Sequence, residues 1–290
     1  MKTKNKKNFY ELLFLIFPSF GWLLFFFLIP LIIALIYSFN YKGTHGGVIP
    51  GFTLEHYKNV FSGQYIKIFL NSLTLASITT ALTILIGYPV AYFMAASNSK
   101  LKSILMFFVI LPFWTNFLIR VYSFIMILGR EGLINKTLMW SGMISEPLSL
   151  LNSTFAVYLG FIYYNLPYMI IPIFSALDKM DVSLIEASMD LGAGKKRTFF
   201  KITFPQSIPG VVAGIVFVFI PTLGNFVIPD LLGGKDNYII GNLITLQFQQ
   251  GRNWPLGSAL SSVLIFLAMI FISLYIRYYN PSKSKKMIEV

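Results

Sequence analysis

Six long stretches of this chain carry no charged residue, and short charged segments separate them. The uncharged runs cover residues 12–37, 69–96, 104–119 with a continuation past Arg120 to 129, 147–177, 202–229 and 253–276. A helix rising about 1.5 Å per residue needs about 20 residues to cross a hydrocarbon core of about 30 Å. In lipid only helices and closed barrels satisfy every backbone group, and these runs lack the two-residue alternation of barrel strands. The pattern predicts an all-α polytopic membrane protein, one domain over 1–290, with six transmembrane helices near 12–37, 69–96, 104–128, 150–177, 207–229 and 255–277.

The connections add detail. Residues 38–67 begin with Gly43, Gly46, Gly47, Pro50 and Gly51, a loop, and continue into 52–61, where the apolar spacing suits a short interfacial helix. Residues 129–146 have room for another short helix, and 97–103 is a tight basic link between antiparallel neighbours. Pro167 and Pro172 interrupt the fourth span, and Pro221, Gly224 and Pro229 the fifth, which marks the end of the fifth run as a pathway element. Gly210 and Gly214 form a GxxxG pair that lets a second helix approach closely.

Composition agrees: 56% of the 290 residues are hydrophobic and only 12% charged, about half the charge of a soluble domain. Lys2, Lys4, Lys6 and Lys7 before an apolar stretch resemble a signal peptide, but the stretch is long, holds Pro18, Trp22 and Pro30, and lacks a clear cleavage site. It is expected to stay as the first span.

A net charge of +12 raises the question of nucleic acid, which the placement of the bases answers. With the N-terminus inside, fifteen basic residues fall inside: Lys2, Lys4, Lys6, Lys7, Lys100, Lys102, Lys179, Lys195, Lys196, Arg197, Lys201, Arg277, Lys283, Lys285 and Lys286. Seven fall outside: Lys42, Lys58, Lys67, Arg130, Lys136, Lys235 and Arg252. The positive-inside rule accounts for the charge, both termini are expected in the cytoplasm, and no nucleic-acid partner is implied. The chain has no cysteine, and His45 and His56, with no third ligand type nearby, make a poor metal site.

Residues 178–206 form the longest inside connection. Ser183 followed by Glu186 fits a capping box for a helix to Leu191, Gly192 and Gly194 stop that helix, and a second helical stretch runs through Phe199, Phe200 and Ile202 to Pro205. The result is a helix-turn-helix on the cytoplasmic face. Gly192 to Thr198 is not a phosphate-binding loop, since Met189 replaces its first glycine and Lys196 its hydroxyl residue.

This segment resembles the EAA loop of binding-protein-dependent ABC importer permeases. Glu186-Ala187-Ser188, Gly192 and the Ile202 to Pro205 element match in spacing, with Ser188 for an alanine and Phe204 for a leucine. Pro112 to Tyr122, Asp190 to Ala193, Pro229 to Gly234, Ile240 to Ile244, Gln247-Phe248 and Trp254-Pro255 resemble PotB-type permeases of spermidine/putrescine importers. The resemblance implies a type I ABC importer permease fold in the bacterial inner membrane, with Glu186, Ala187, Ser188, Gly192, Ile202 and Pro205 coupling it to an ATPase. It further implies a homologous second permease, two ATPase subunits, an extracytoplasmic polyamine-binding protein, and no cofactor on this chain, because the partner ATPase uses ATP and Mg.

Aromatic faces and neutral oxygens can hold an amine chain without trapping it. Trp114, Asn116, Tyr122, Tyr164, Asn165, Asn225 and Asp230 are therefore candidates for the substrate path. Arg120 lies about 24 Å along a continuous helix from Ile104, where it is expected to snorkel to the outer interface. The alternatives are a permease of the same family for another small solute, a secondary transporter, which normally carries midplane ionisable residues, and a membrane enzyme, for which no catalytic cluster is visible.

Overall fold

The computed structural model describes residues 16–18, 20–234 and 237–278, and the segments 1–15, 235–236 and 279–290, with Lys2, Lys4, Lys6, Lys7, Lys235, Lys283, Lys285 and Lys286, lie outside them. Among the described residues, five helices are long and apolar enough to cross a membrane, or six if one bent pair counts as a single span. The helices in chain order are α1 (Ile16–Tyr37), α2 (Glu55–Val60), α3 (Gly63–Ala96), α4 (Ser99–Ile110), α5 (Phe117–Leu128) and α6 (Leu133–Trp140). They are followed by α7 (Thr154–Asp178), α8 (Val182–Asp190), α9 (Lys195–Gly224), α10 (Val227–Leu232), α11 (Ile240–Gln249) and α12 (Trp254–Tyr278).

The chain forms two compact units, residues 1–65 with 244–266 and residues 66–243 with 267–290. In the first, the loop after α1 makes a two-stranded antiparallel hairpin, β1 (Tyr41–Lys42) with β2 (Val48–Ile49). Gly46 and Gly47 have φ of +94° and +81°, which only glycine adopts at little cost, and a Cβ on Gly46 would meet that of Arg252 at 2.6 Å. The Gly47 N–H donates to the Arg252 carbonyl at 3.0 Å. His56 is buried with Nε2 3.0 Å from the Asn40 carbonyl, a structural bond. The two short helices expected in the loops are α2 and α6.

The second unit is built around α7 and α9. The GxxxG pair performs the packing its spacing suggested: a Cβ on Gly210 would lie 2.4 Å from the Pro172 carbonyl oxygen, and one on Gly214 would lie 2.5 Å from Met169 Sδ. One core cluster joins Leu75, Val121, Val157, Phe161, Ile228 and Leu232, and another joins Tyr88, Ala91, Met94, Met169, Ile173 and Val218. Polar side chains on α3 turn back on their own helix, as Thr80 and Thr83 donate to the carbonyls of Ala76 and Thr79 at 2.7 Å each. Burying a hydroxyl without a partner is expensive, and this bond removes the cost locally.

Three expectations are corrected. The third apolar run is not one straight span: Ser99–Trp114 and Phe117–Trp140 meet at 94°. Leu111–Trp114 tightens into a 3₁₀ turn with Pro112 as its second residue, and extended Asn116 begins a new helix by accepting from the Leu118 N–H at 2.8 Å. The fourth run is unbroken, because α7 passes through both Pro167 and Pro172. Pro205 does not end the helix begun at Lys195, since the turns of Phe199–Thr203 widen to π geometry and the chain continues as α-helix from Phe204 to Gly224. The fifth run breaks later, at Asn225.

Candidate functional site

Asp178 closes α7, and three residues later Asp181 opens α8 by accepting from the Ser183 N–H at 3.0 Å. Asp181, not Ser183, is the cap, and Glu186 makes no hydrogen bond or ion pair among the described residues, so the capping box is not formed. Hydrogen bonds from the Ser183 side chain and backbone hold the Asp181 carboxyl below its usual range. Gly192 has φ of +80°, as the glycine-stopped helix requires, and the Ala193 N–H returns to the Ser188 carbonyl at 3.1 Å.

None of the nine residues of α8 is buried, and Val182, Leu184, Met189 and Leu191 expose apolar side chains. Glu186 and Ala187 are exposed with them, while Ser188 turns inward and its Oγ lies 2.9 Å from Oγ1 of Thr198 on α9. Ile202 is half-buried in the π segment and Pro205 is exposed just beyond it. The six coupling candidates thus fall on one helix, one left-handed turn and the root of one span. Thr198 was not anticipated; a hydroxyl ten residues after Ser188 across a glycine turn was the available signal.

The substrate-path candidates divide by role. Asn116 and Asn225 are helix caps: the Asn225 Oδ1 accepts from the N–H groups of Val227 and Ile228 at 3.1 and 3.2 Å. Asn165 is buried and donates to Thr222 Oγ1 at 3.1 Å, joining α7 to α9, while its Oδ1 has no partner among the described residues. Trp114 and Tyr122 are 76% and 54% exposed, and Asp230 is exposed on α10. Tyr164 lies at the centre of an aromatic row, 5.0 Å from Phe117 and 5.7 Å from Tyr168, which meets Phe113 at 5.1 Å.

Arg120 faces that row. Its guanidinium carbon sits 5.6 Å from the Tyr164 centroid, and its Nε is buried with no hydrogen-bond partner among the described residues. The bend at 115–116 places Arg120 in the first turn of α5, so the distance along a straight third span does not apply to it. Gly160 brings α10 close here, since a Cβ on it would lie 2.7 Å from Leu232. The two broken runs therefore meet across α7: α5 and α10 both line the small cavity that holds Arg120, Tyr164 and Ile228.

Residues 87–285 match the family described as binding-protein-dependent transport system inner membrane component. The spermidine/putrescine transport system permease protein PotB of Haemophilus influenzae is 42% identical over 259 residues, 89% of this chain and 90% of that one. PotB of Escherichia coli is 37% identical over 269 residues, 93% and 98% of the two chains. A crystal structure of a bacterial alginate ABC transporter in complex with a periplasmic protein bound to alginate pentasaccharide superposes with a TM-score of 0.78 at 20% identity, covering 96% of each chain, and shows the shared fold. The chain belongs to the binding-protein-dependent transport system inner membrane components, as a permease of the PotB type.

Proposed function

We propose that this chain forms half of the membrane pathway of an ATP-driven polyamine importer, with spermidine and putrescine as the solutes. The observation that carries the substrate class is the 42% identity, over nine-tenths of both chains, to a permease named for those two polyamines. The partners are a homologous second permease, two ATPase subunits and an extracytoplasmic polyamine-binding protein; ATP and Mg are used on the ATPase, and this chain carries no cofactor of its own. The termini and α8 face the cytoplasm of a bacterial inner membrane. The uncovered apolar side chains of Leu184, Met189 and Leu191, beside Glu186, suit a helix seated in a cleft of the ATPase.

A polycation entering a negative-inside cell gains about 2.3 kcal/mol per charge per 100 mV, so the field assists entry and ATP chiefly gates it. Tyr164, Tyr122 and Trp114 supply ring faces, Asn116, Asn165 and Asn225 shape the broken helices, and Asp230 supplies a carboxylate where the fifth run reopens. Proteoliposomes holding the assembled complex should take up labelled spermidine and putrescine only with ATP inside and the binding protein outside. ATP-dependent uptake of a different solute, with no polyamine uptake, would replace the substrate; uptake without any ATPase subunit would replace the mechanism.

A further inference from the structure

The coupling loop is bonded to more than the helix it precedes. Ser188 and Thr198 pin α8 to the first turn of α9, a bond that the alanine of the EAA pattern cannot make. Directly after this staple the helix widens over Phe199–Thr203, and Phe199 stands edge-on to two rings of α3, Tyr88 at 5.9 Å and Tyr92 at 5.6 Å. Phe204 closes on Tyr88 from the other side of the π segment at 5.8 Å.

One turn further, Ser207 Oγ is fully buried, 2.9 Å from the Tyr88 hydroxyl, and donates to the Phe204 carbonyl at 2.8 Å. A serine has one proton, so with that proton on the Phe204 carbonyl the Tyr88 O–H is the donor to Ser207. The chain of two bonds crosses from α3 to the root of α9 at the place where Pro205 supplies no N–H to its own helix. Single π turns inside α-helices occur often at functional sites, and a one-residue change of register between π and α turns is a discrete step.

We infer that Tyr88 and Ser207, with the ring of Phe199, form a joint that passes the movement of α8 to α3, so that two membrane helices and not α9 alone answer the ATPase. This rests on the proposed importer role for the route and on the observed contacts for the residues. Tyr88 and Ser207 are positioning residues: they touch neither solute nor nucleotide, and they set how far a displacement of the staple at Ser188 and Thr198 reaches. Coupling of this kind needs a physical element biased from both ends, which a buried hydrogen bond beside a π segment supplies.

The test uses the full complex in proteoliposomes with Tyr88→Phe, Ser207→Ala and the pair together. Tyr88→Phe keeps the ring against Phe199 and removes only the donor. Assembly and unstimulated ATP turnover should stay at the unmodified level, while solute taken up per ATP falls about three- to tenfold in each single variant, the range of one buried hydrogen bond. The double variant should be no worse than the worse single one, because both remove the same bond.

Unchanged uptake per ATP in all three, additive losses in the double, or uptake falling only in step with the amount of assembled complex would overturn the joint. Should the unmodified complex take up no polyamine, the substrate reading fails by itself. The joint is then judged by how far the binding protein stimulates ATP turnover, where an unreduced stimulation in the variants counts against it and a three- to tenfold reduction supports it.

Discussion

At the scale of the residue, Gly192 is the position where backbone geometry and proposed function coincide. Its φ of +80° is left-handed, and a Cβ placed there would meet nothing within 4 Å, so a substitution costs through the backbone and not through crowding. A non-glycine residue in this region loses about 1–2 kcal/mol, and β-branching adds to it. Gly192→Val should therefore leave the complex assembled and lower ATP-coupled uptake by about tenfold or more, with Gly192→Asn much milder because asparagine tolerates the conformation. Equal uptake by glycine and valine forms in proteoliposomes would remove the turn from the coupling route. The glycine was legible because the turn it closes is local; the cap was misread for the opposite reason. Asp181 and Ser183 are both capping residue types two positions apart, and only the bond from the Ser183 N–H to Asp181 decides between them. Polarity makes Asn116 and Asn225 candidates for the solute path, and it does not show that each side-chain oxygen also accepts from the start of a helix. Arg120 and Tyr164 are 44 residues apart in sequence, and no spacing rule brings a guanidinium over that ring.

Among elements, the contact between α7 and α9 carries the second unit, and it depends on the absence of a side chain. Gly210 faces the Pro172 carbonyl oxygen, a backbone atom that cannot rotate away, and the space also holds Ala176 at 2.8 Å from the Cβ position. A larger residue must push two long helices apart, and overpacking of this kind costs about 1–3 kcal/mol or more. Gly210→Leu should cut the yield of assembled complex severalfold, measured by size-exclusion chromatography in detergent. Gly224→Ala, with nothing within 4 Å of its Cβ position, should leave the yield unchanged. Equal yields of the leucine and unmodified forms would show that the two helices have slack. The helices were legible from the uncharged runs, and the Gly210 pair from its spacing, because both are properties of consecutive residues. The bend of the third run was not, since the uncharged run continues through Thr115 and Asn116 while the backbone turns by 94°. Prolines misled in one direction, as breaks that the backbone does not make. Pro167 and Pro172 sit in an intact helix, and the π turns before Pro205 carry that helix past its missing donor.

For the whole molecule, the bend decides how the chain is threaded. Between residues 45 and 191 lie α3, the bent pair and α7. If the bent pair crosses the bilayer, three crossings separate the two residues and they face opposite sides; if it re-enters, two crossings place them on the same side. Charge favours the first arrangement. Lys100 and Lys102 lie in the first turn of the bent pair, and Lys195, Lys196, Arg197 and Lys201 follow α7, so a re-entrant pair would put these two basic groups on opposite faces against the positive-inside rule. The chain has no cysteine, which makes single introduced thiols unambiguous reporters. His45, exposed in the hairpin, and Leu191, 88% exposed at the end of α8, are the positions to use. In intact cells a membrane-impermeant maleimide should label His45→Cys, and should label Leu191→Cys only after permeabilisation. In the assembled complex the Leu191→Cys label should also be weaker than in the isolated chain, because the proposed ATPase cleft covers α8. Labelling of both from outside would make the bent pair re-entrant and turn α8 away from any cytoplasmic ATPase, whereas labelling of neither before permeabilisation would place the hairpin and α8 together inside. Only labels on opposite sides leave α8 facing an ATPase while the hairpin faces the binding protein, the arrangement that an importer driven from within and loaded from without requires.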